Sequence, residues 1–325
     1  MIEVHLDKKN LKLLSVVDKD PLMLVSKIAK KIGVSRQVAE YRLHQLEENN
    51  TIYAFYTLVD VSKLGYSLFR VHFRLKNVTS QKYETFAQKL FLDYPAMWVG
   101  FVSGEFDLIY DLFARNHQEF EFMLSSIIKE HKEMIQSYES FVVLNISMYN
   151  YNYFVNSTQM RRKILFNQDT QLIEVDDKDK AILQQIKNNA RMPYEAIGRK
   201  VGLTRNAVKY RINRLEELKI ISGYLMIVDF HHLKKQSFKI FIRYNPQKRE
   251  QEKDLLDCIK ESYGVLATLQ LFGKWDLDIE IQKSDIKELQ EYIIELRNKF
   301  EIIENYSIIP IIRDFGINFF PKNLK

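Results

Sequence analysis

Cysteine is almost missing from this chain: Cys258 stands alone among 325 residues. One sulfur forms no internal disulfide and builds no thiolate metal cluster, so a reducing, cytoplasmic setting fits best. Long apolar runs are missing too. None approaches the ~18–20 residues of a membrane-spanning helix, and the start, MIEVHLDKKN, has no apolar signal core, which argues against a secreted or membrane location. The chain carries no GxGxxG, P-loop, HExxH or CxxC motif. Of seven histidines only His231 and His232 are adjacent, and adjacency along a chain points side chains apart rather than into one metal site. No catalytic residue, metal or cofactor is therefore expected, and the chain reads as a binding protein rather than an enzyme.

What is present is a repeat. The segment from Gly33 to Ile52 returns 169 positions later as Gly202 to Ile221, with Gly33, Arg36, Tyr41, Arg42, Leu46, Glu47, Glu48 and Ile52 recurring as Gly202, Arg205, Tyr210, Arg211, Leu215, Glu216, Glu217 and Ile221. The same spacing turns GEFDL (Gly104–Leu108) into GKWDL (Gly273–Leu277). A period of this length is a whole two-domain subunit rather than a solenoid unit, so the chain reads as a covalent dimer of one ancestral protein. With 46% hydrophobic and 28% charged residues, each half has material for a globular core. The net charge of +6 is compatible with a polyanionic partner but does not require one.

Each half opens with three helices. In the second, Asp176 is placed to cap a helix whose Ala181, Ile182, Leu183 and Ile186 share a face. A short helix over Tyr194 to Val201 ends at Gly202, and Thr204 caps a third running to about Leu218. Leu11 to Val17, Val25 to Ile32, and a helix from Ser35 to about Glu48 repeat this in the first half. Helix, helix, tight glycine turn, helix is a helix-turn-helix module. A hairpin of strand-forming residues is expected after each, at Ile52 to Val59 and Ile221 to Val228. Next, Phe69, Val71, Phe73 and Leu75 alternate with Arg70, His72 and Arg74, the period of a half-buried strand. Helices and strands then follow in the order βαββαβ, a split-βαβ arrangement. The expected class is α+β: heads over residues 1–60 and 175–229, ferredoxin-like bodies over 61–148 and 230–325, and a polar linker over 149–174 with a possible short helix at Met160 to Leu165.

A helix-turn-helix reads DNA by laying its last helix in the major groove, with early residues at base edges and cap amides at phosphates. Ser35, Arg36, Gln37, Glu40, Tyr41 and Arg42 in the first copy, and Thr204, Arg205, Asn206, Lys209 and Arg214 in the second, are the candidates. Arg pairs with guanine and Gln or Asn with adenine through paired hydrogen bonds. Arg42 and Arg211 have two readings, a DNA-backbone contact or an ion pair with Glu of the same helix. From Gly33 to Ile52 there are two Arg against three Glu; from Gly202 to Ile221 there are five Lys or Arg against two Glu, so the second head is expected to bind DNA more strongly. The alternative is that the heads only mediate dimerisation.

This order of elements resembles the Lrp/AsnC family of transcriptional regulators, the feast/famine proteins. The second half follows the family's winged-helix pattern closely, through Arg211, Ile212, Leu215, Glu216 and Ile220 or Ile221, but Lys219 and, in the first copy, Asn50 stand where the family usually has Gly. The family's G-x-aromatic-D-L motif is found at Gly104, Phe106 and Asp107 and at Gly273, Trp275 and Asp276. The resemblance implies double-stranded DNA as partner, pairing of the two bodies within one chain, further self-association of such pseudo-dimeric chains, and a pocket for an amino acid or similar effector near Gly104, Asp107, Gly273 and Asp276. The plain reading of those four residues is turn chemistry. Members of the family are commonly half this length, so the fusion is the departure. Siroheme decarboxylases resemble these regulators in both domains and supply the rival, an enzyme on the same scaffold; a DNA-packing protein without effector is a third reading.

Overall fold

The computed structural model describes residues 6–152, 154, the backbone of 163–166, and 171–321. The first head consists of α1 (Lys8–Lys19), α2 (Val25–Ile32) and α3 (Arg36–Glu48), followed by β1 (Ile52–Val59). Each start has a local cause. The Asp7 carboxylate accepts from the Asn10 amide at 2.7 Å, and Ser35 Oγ accepts from the Val38 amide at 3.2 Å, satisfying donors that the first turn leaves open. Gly33 ends α2 at φ 71°, a left-handed cap that glycine adopts without strain. Leu13, Leu14, Val17, Ile28, Ile32, Ala39, Leu43 and Leu46 pack together beneath α3.

The first body follows as β2 (Ser67–Leu75), α4 (Ser80–Asp93), β3 (Ala96–Val102), β4 (Leu108–Ala114), α5 (His117–Glu130) and β5 (Ile135–Tyr149). After it, β6 (Lys163–Phe166) pairs antiparallel with the end of β5. The helix expected over Met160 to Leu165 is therefore a strand from Lys163 onward, and Met160 to Arg162 lie outside the described residues. The second head, α6 (Asp177–Ile186), α7 (Tyr194–Val201), α8 (Arg205–Glu217) and β7 (Ile221–Val228), repeats the first. Asp176 accepts from Asp179 N at 2.8 Å, Thr204 Oγ1 from Ala207 N at 3.2 Å, and Gly202 sits at φ 68°. The second body runs β8 (Gln236–Tyr244), α9 (Glu252–Glu261), β9 (Val265–Phe272), β10 (Leu277–Lys283), α10 (Ile286–Lys299) and β11 (Ile303–Ile317).

The strand after each head does not close a hairpin of its own. β1 pairs antiparallel with β7, and the register is self-symmetric. Tyr56 stands opposite Leu225, its own counterpart one repeat later, so the pseudo-twofold axis of the molecule crosses this ribbon. One two-stranded wing thus serves both heads. Further bonds lock β1 to the second head: Thr57 N donates to Lys187 O at 3.0 Å and Ala190 N to Phe55 O at 2.8 Å.

The bodies also combine. Within each, the strands lie in the order fourth, first, third, second (β5-β2-β4-β3 and β11-β8-β10-β9). The two open edges of one sheet meet those of the other through β3–β11 and β5–β9, closing eight strands into a barrel. Closure removes the exposed edges that would template pairing with other chains. Outside the wall, α4 and α5 cover Phe69, Val71, Phe73 and Leu75, and α9 and α10 cover Phe238, Ile240 and Ile242. Inside are the other faces of the same strands. β2 is therefore not half-exposed: Arg70 and His72, read from the alternation as its outer face, are both buried within the barrel.

Candidate functional site

On α3, Ser35, Arg36, Gln37, Glu40 and Tyr41 are exposed, and on α8 so are Thr204, Arg205, Asn206, Lys209 and Tyr210. Ala39 and Leu43, on the opposite side of α3, turn into the core. Tyr41 and Tyr210 are counterparts in the repeat and are 65% and 70% accessible, far more than a core-packing role allows for so large a ring.

Among the described residues, neither Arg42 nor Arg211 pairs with a Glu of its own helix. Arg42 Nη1 donates to Asp7 Oδ2 at 2.8 Å and Asn10 Oδ1 at 2.7 Å, and Arg211 Nη1 donates to Asp176 and to Asp179 at 2.7 and 2.8 Å. Each arginine ties the recognition helix to the capped start of the first helix, and each capping carboxylate is held below its usual range. For Asp7, burial opposes this and the amide of Asn10 and Arg42 drive it; for Asp176, the Asp179 amide and then Arg211 do. Arg42, 26% accessible, is engaged by the first helix in the free chain. Arg214 Nη1 also meets the buried Asp179, at 3.1 Å, and Arg205 Nε meets Glu195 at 2.8 Å. Part of the positive excess of the second head is thus engaged by the buried Asp179, while Arg205, in a surface pair with Glu195, and Lys209 remain exposed on α8.

The repeated glycine turns join β3 to β4 and β9 to β10. Asp107 Oδ2 accepts from the Leu75 amide at 2.7 Å and Asp276 Oδ2 from the Tyr244 amide at 2.9 Å. Arg74 and Arg243 donate to the carbonyls of Gly104 and Gly273 at 2.8 and 2.9 Å, and both also approach the aspartates at 3.4 Å. Both carboxylates are engaged in holding the turn to the first strand of its sheet. Phe106 and Trp275 from the same turns point into the barrel, where His72 packs against Phe106, Phe141 and Phe241 with ring centroids 4.7–4.9 Å apart. Neither ring nitrogen of His72 has a hydrogen-bond partner among the described residues. Burial, and then the charges of Arg70, Lys239 and Lys274, push its pKa well below the usual value, so the imidazole is neutral.

Next to this aromatic plug lies a chain of ions. Arg70 forks onto Asp111 (Nε–Oδ1 2.6 Å, Nη2–Oδ2 2.7 Å) and reaches Asp278 with Nη1. Lys239 pairs with Asp278 at 3.2 Å and Glu280 at 2.9 Å. Burial works against both cations, but the adjoining carboxylates outweigh it and raise both pKa values. Sequence reasoning missed this network. A signal existed: Lys239 and Glu280 are the repeat counterparts of Arg70 and Asp111, and a charge pair kept at one spacing on facing strands is unlike a solvated face. Asp278 has no such signal, since its counterpart is Ile109. Among the described residues, no group of three or more His, Cys, Asp or Glu gathers in metal-binding geometry, and no helix is long and apolar enough to cross a membrane.

Comparison with known proteins places these parts in context. Residues 175–216 match the family model of the AsnC-type helix-turn-helix domain. An HTH-type transcriptional regulator of Pyrococcus horikoshii is 30% identical over 122 residues, which span 37% of this chain and 81% of that protein. The HTH-type transcriptional regulator AldR of Mycobacterium tuberculosis is 25% identical over 146 residues, 44% of this chain and 81% of its own. The fused two-copy architecture also occurs in the siroheme decarboxylase NirDL, whose crystal structure superposes with a TM-score of 0.62 over 95% of this chain and 92% of that one, at 14% identity. That likeness is one of fold. By its helix-turn-helix heads and its match to these regulators, the chain belongs to the Lrp/AsnC family of transcriptional regulators.

Proposed function

We propose that the chain binds double-stranded DNA as a covalent pseudo-dimer, by binding alone and without catalysis. Ser35, Arg36, Gln37 and Tyr41 would read one half-site, and Thr204, Arg205, Asn206 and Lys209 the other, with Arg214 at the edge of the second interface. The observation that carries this reading is the self-symmetric wing centred on Tyr56 and Leu225. It relates two capped, outward-facing recognition helices by a pseudo-twofold axis, as a palindromic operator requires. The working units are the heads 1–60 and 175–229 and the bodies 61–148 and 230–325. Self-association of such chains would repeat the heads along DNA, and a small-molecule effector that favours one arrangement must then change operator affinity. A cytoplasmic location goes with this role.

The rival enzyme reading draws on the NirDL fold, and one crystal structure of that protein holds an iron-uroporphyrin III analogue. Here the interior speaks for another occupant. His72 is enclosed by phenylalanines, and three carboxylates face two cations in the network, a poor match for a polycarboxylate tetrapyrrole.

Gel shifts on a selected operator test the assignment. Lys209→Glu weakens binding several-fold and lowers the salt slope by about 1, the signature of a lost phosphate contact. Glu40→Lys has the smaller effect, because the first head is the weaker partner. Equal or reversed effects contradict the asymmetry; unselective footprints favour DNA packing, and no binding by the parent chain contradicts the DNA-binding role itself.

A further inference from the structure

At the end of the barrel opposite the glycine turns is a cavity of about 240 Å³. Ser237 and Lys239 of β8 border it, whereas Arg243, further along the same strand, holds the Gly273 turn. It is thus distinct from the Asp107 and Asp276 region. Its roof is the wing: Tyr53 of β1 and Leu225, Ile227 and Val228 of β7 complete the wall. Aromatic and aliphatic side chains supply most of the remaining surface, with Trp98 and Tyr149 among them.

The charge of the wall is unbalanced. Four carboxylates, Asp111, Asp229, Glu280 and Asp314, face three permanent cations, Arg70, Lys239 and Arg313. Arg70 and Lys239 are already engaged by Asp111, Glu280 and, behind the wall, Asp278, and Arg313 by Glu84. Asp314 is closely surrounded by protein yet solvent-exposed, and it borders the cavity. Among the described residues it takes one hydrogen bond, from Trp98 Nε1 at 2.8 Å, and has no ion-pair partner. The Trp98 ring carries Lys239 Nζ 4.9 Å from its centroid. A neutral or anionic ligand would leave this excess of negative charge uncompensated, whereas one ammonium group would offset it while its body covers apolar wall.

We propose that this cavity binds a small organic cation, an amine with an apolar body, its ammonium held by Asp314 and Glu280 and its body against the wing that links the two heads. The site stands on barrel geometry and does not depend on the heads binding DNA. Its ligand would touch the barrel and the wing together, so binding there would couple to the disposition of the heads. Around Asp314 the charged and titratable groups are Glu280, Lys239, Asp229 and Arg313, with Arg70, Asp111 and His231 also on the wall. Burial, and next the repulsion of Glu280, push the Asp314 carboxyl up to about 6 against the opposing pull of Trp98 and Lys239. Amine affinity should accordingly fall as pH drops through 6, where that carboxylate takes up a proton.

Calorimetric titration of the full chain with three probes of one shape, phenethylamine, phenethyl alcohol and phenylacetate, tests the charge directly and needs no variant. At pH 7.5 the amine is expected to bind about tenfold or more tighter than the alcohol, and phenylacetate weakest, the range of one charge-assisted contact. In Asp314→Asn, which keeps the size of the side chain, the preference for the amine over the alcohol shrinks to about twofold. Equal binding of the three probes, preference for phenylacetate, or an amine preference that Asp314→Asn leaves intact each overturns the proposal. So does displacement of phenethylamine by an iron tetrapyrrole that develops a Soret shift, which would assign the cavity to an anionic macrocycle.

Discussion

Replacing Arg70 by methionine is the sharpest perturbation of the barrel. The guanidinium is 1% accessible, and its partners Asp111 and Asp278 are 2% and 0% accessible. Both oxygens of Asp111 are served by Arg70, whereas Asp278 keeps Lys239 at 3.2 Å. The substitution therefore strands one carboxylate completely and another in part. Removing one partner of a buried ion pair costs about 3–5 kcal/mol, because the remaining charge keeps its desolvation penalty and loses its compensation. For a chain of this size that corresponds to a fall in Tm of roughly 4–7 °C. Urea unfolding followed by circular dichroism measures it. Adding Asp111→Asn to the Arg70→Met chain removes the stranded charge and should return about 1–2 kcal/mol. A loss below about 1 kcal/mol, or a further loss on adding Asp111→Asn, refutes the idea that the network is a closed set of mutually dependent charges.

Two further outcomes follow from the heads. Lys219 sits at φ 54° and its counterpart Asn50 at φ 57°, where a side chain is strained and Gly is not; Lys219→Gly should raise stability by about 0.5–1 kcal/mol, read as an increase in Tm, and a decrease contradicts the strain argument. Arg211→Ala frees the Asp176 cap and leaves the buried Asp179 with Arg214 alone, so thermal unfolding should show a loss of about 1–3 kcal/mol, with little change if the arginine serves DNA contact instead.

The heads were legible because their signals are local. Caps at Ser35, Asp176 and Thr204, and left-handed glycines at 33 and 202, depend on residues three or four positions apart, and the repeat states each signal twice. Two positions that depart from the family, Asn50 and Lys219, do adopt the backbone that favours Gly. What was not legible depends on distant pairing. Alternation along β2 divides Phe69 and Val71 from Arg70 and His72, but a period of two cannot say whether the second face meets water or the inside of a closed barrel. Likewise, the strands after the heads have the composition of a hairpin, while their partner lies 169 residues away. The intramolecular partners of Arg42 were hidden for the same reason: Asn10 and Asp7, on α1 and at its cap, are 32 and 35 residues upstream. The link between Arg70 and Asp278 spans 208 positions and breaks the repeat, so periodicity could not suggest it.

If one chain carries a complete twofold DNA-reading unit, it should find its own operator without a partner. Selection of bound fragments from a random double-stranded DNA pool by the purified chain, followed by sequencing, tests this most directly. The predicted result is enrichment of two related, inverted half-sites about one helical turn, roughly 10–10.5 bp, apart, the half-site bound through α8 being the more constrained. A single isolated half-site, or no enrichment over the starting pool, would contradict it.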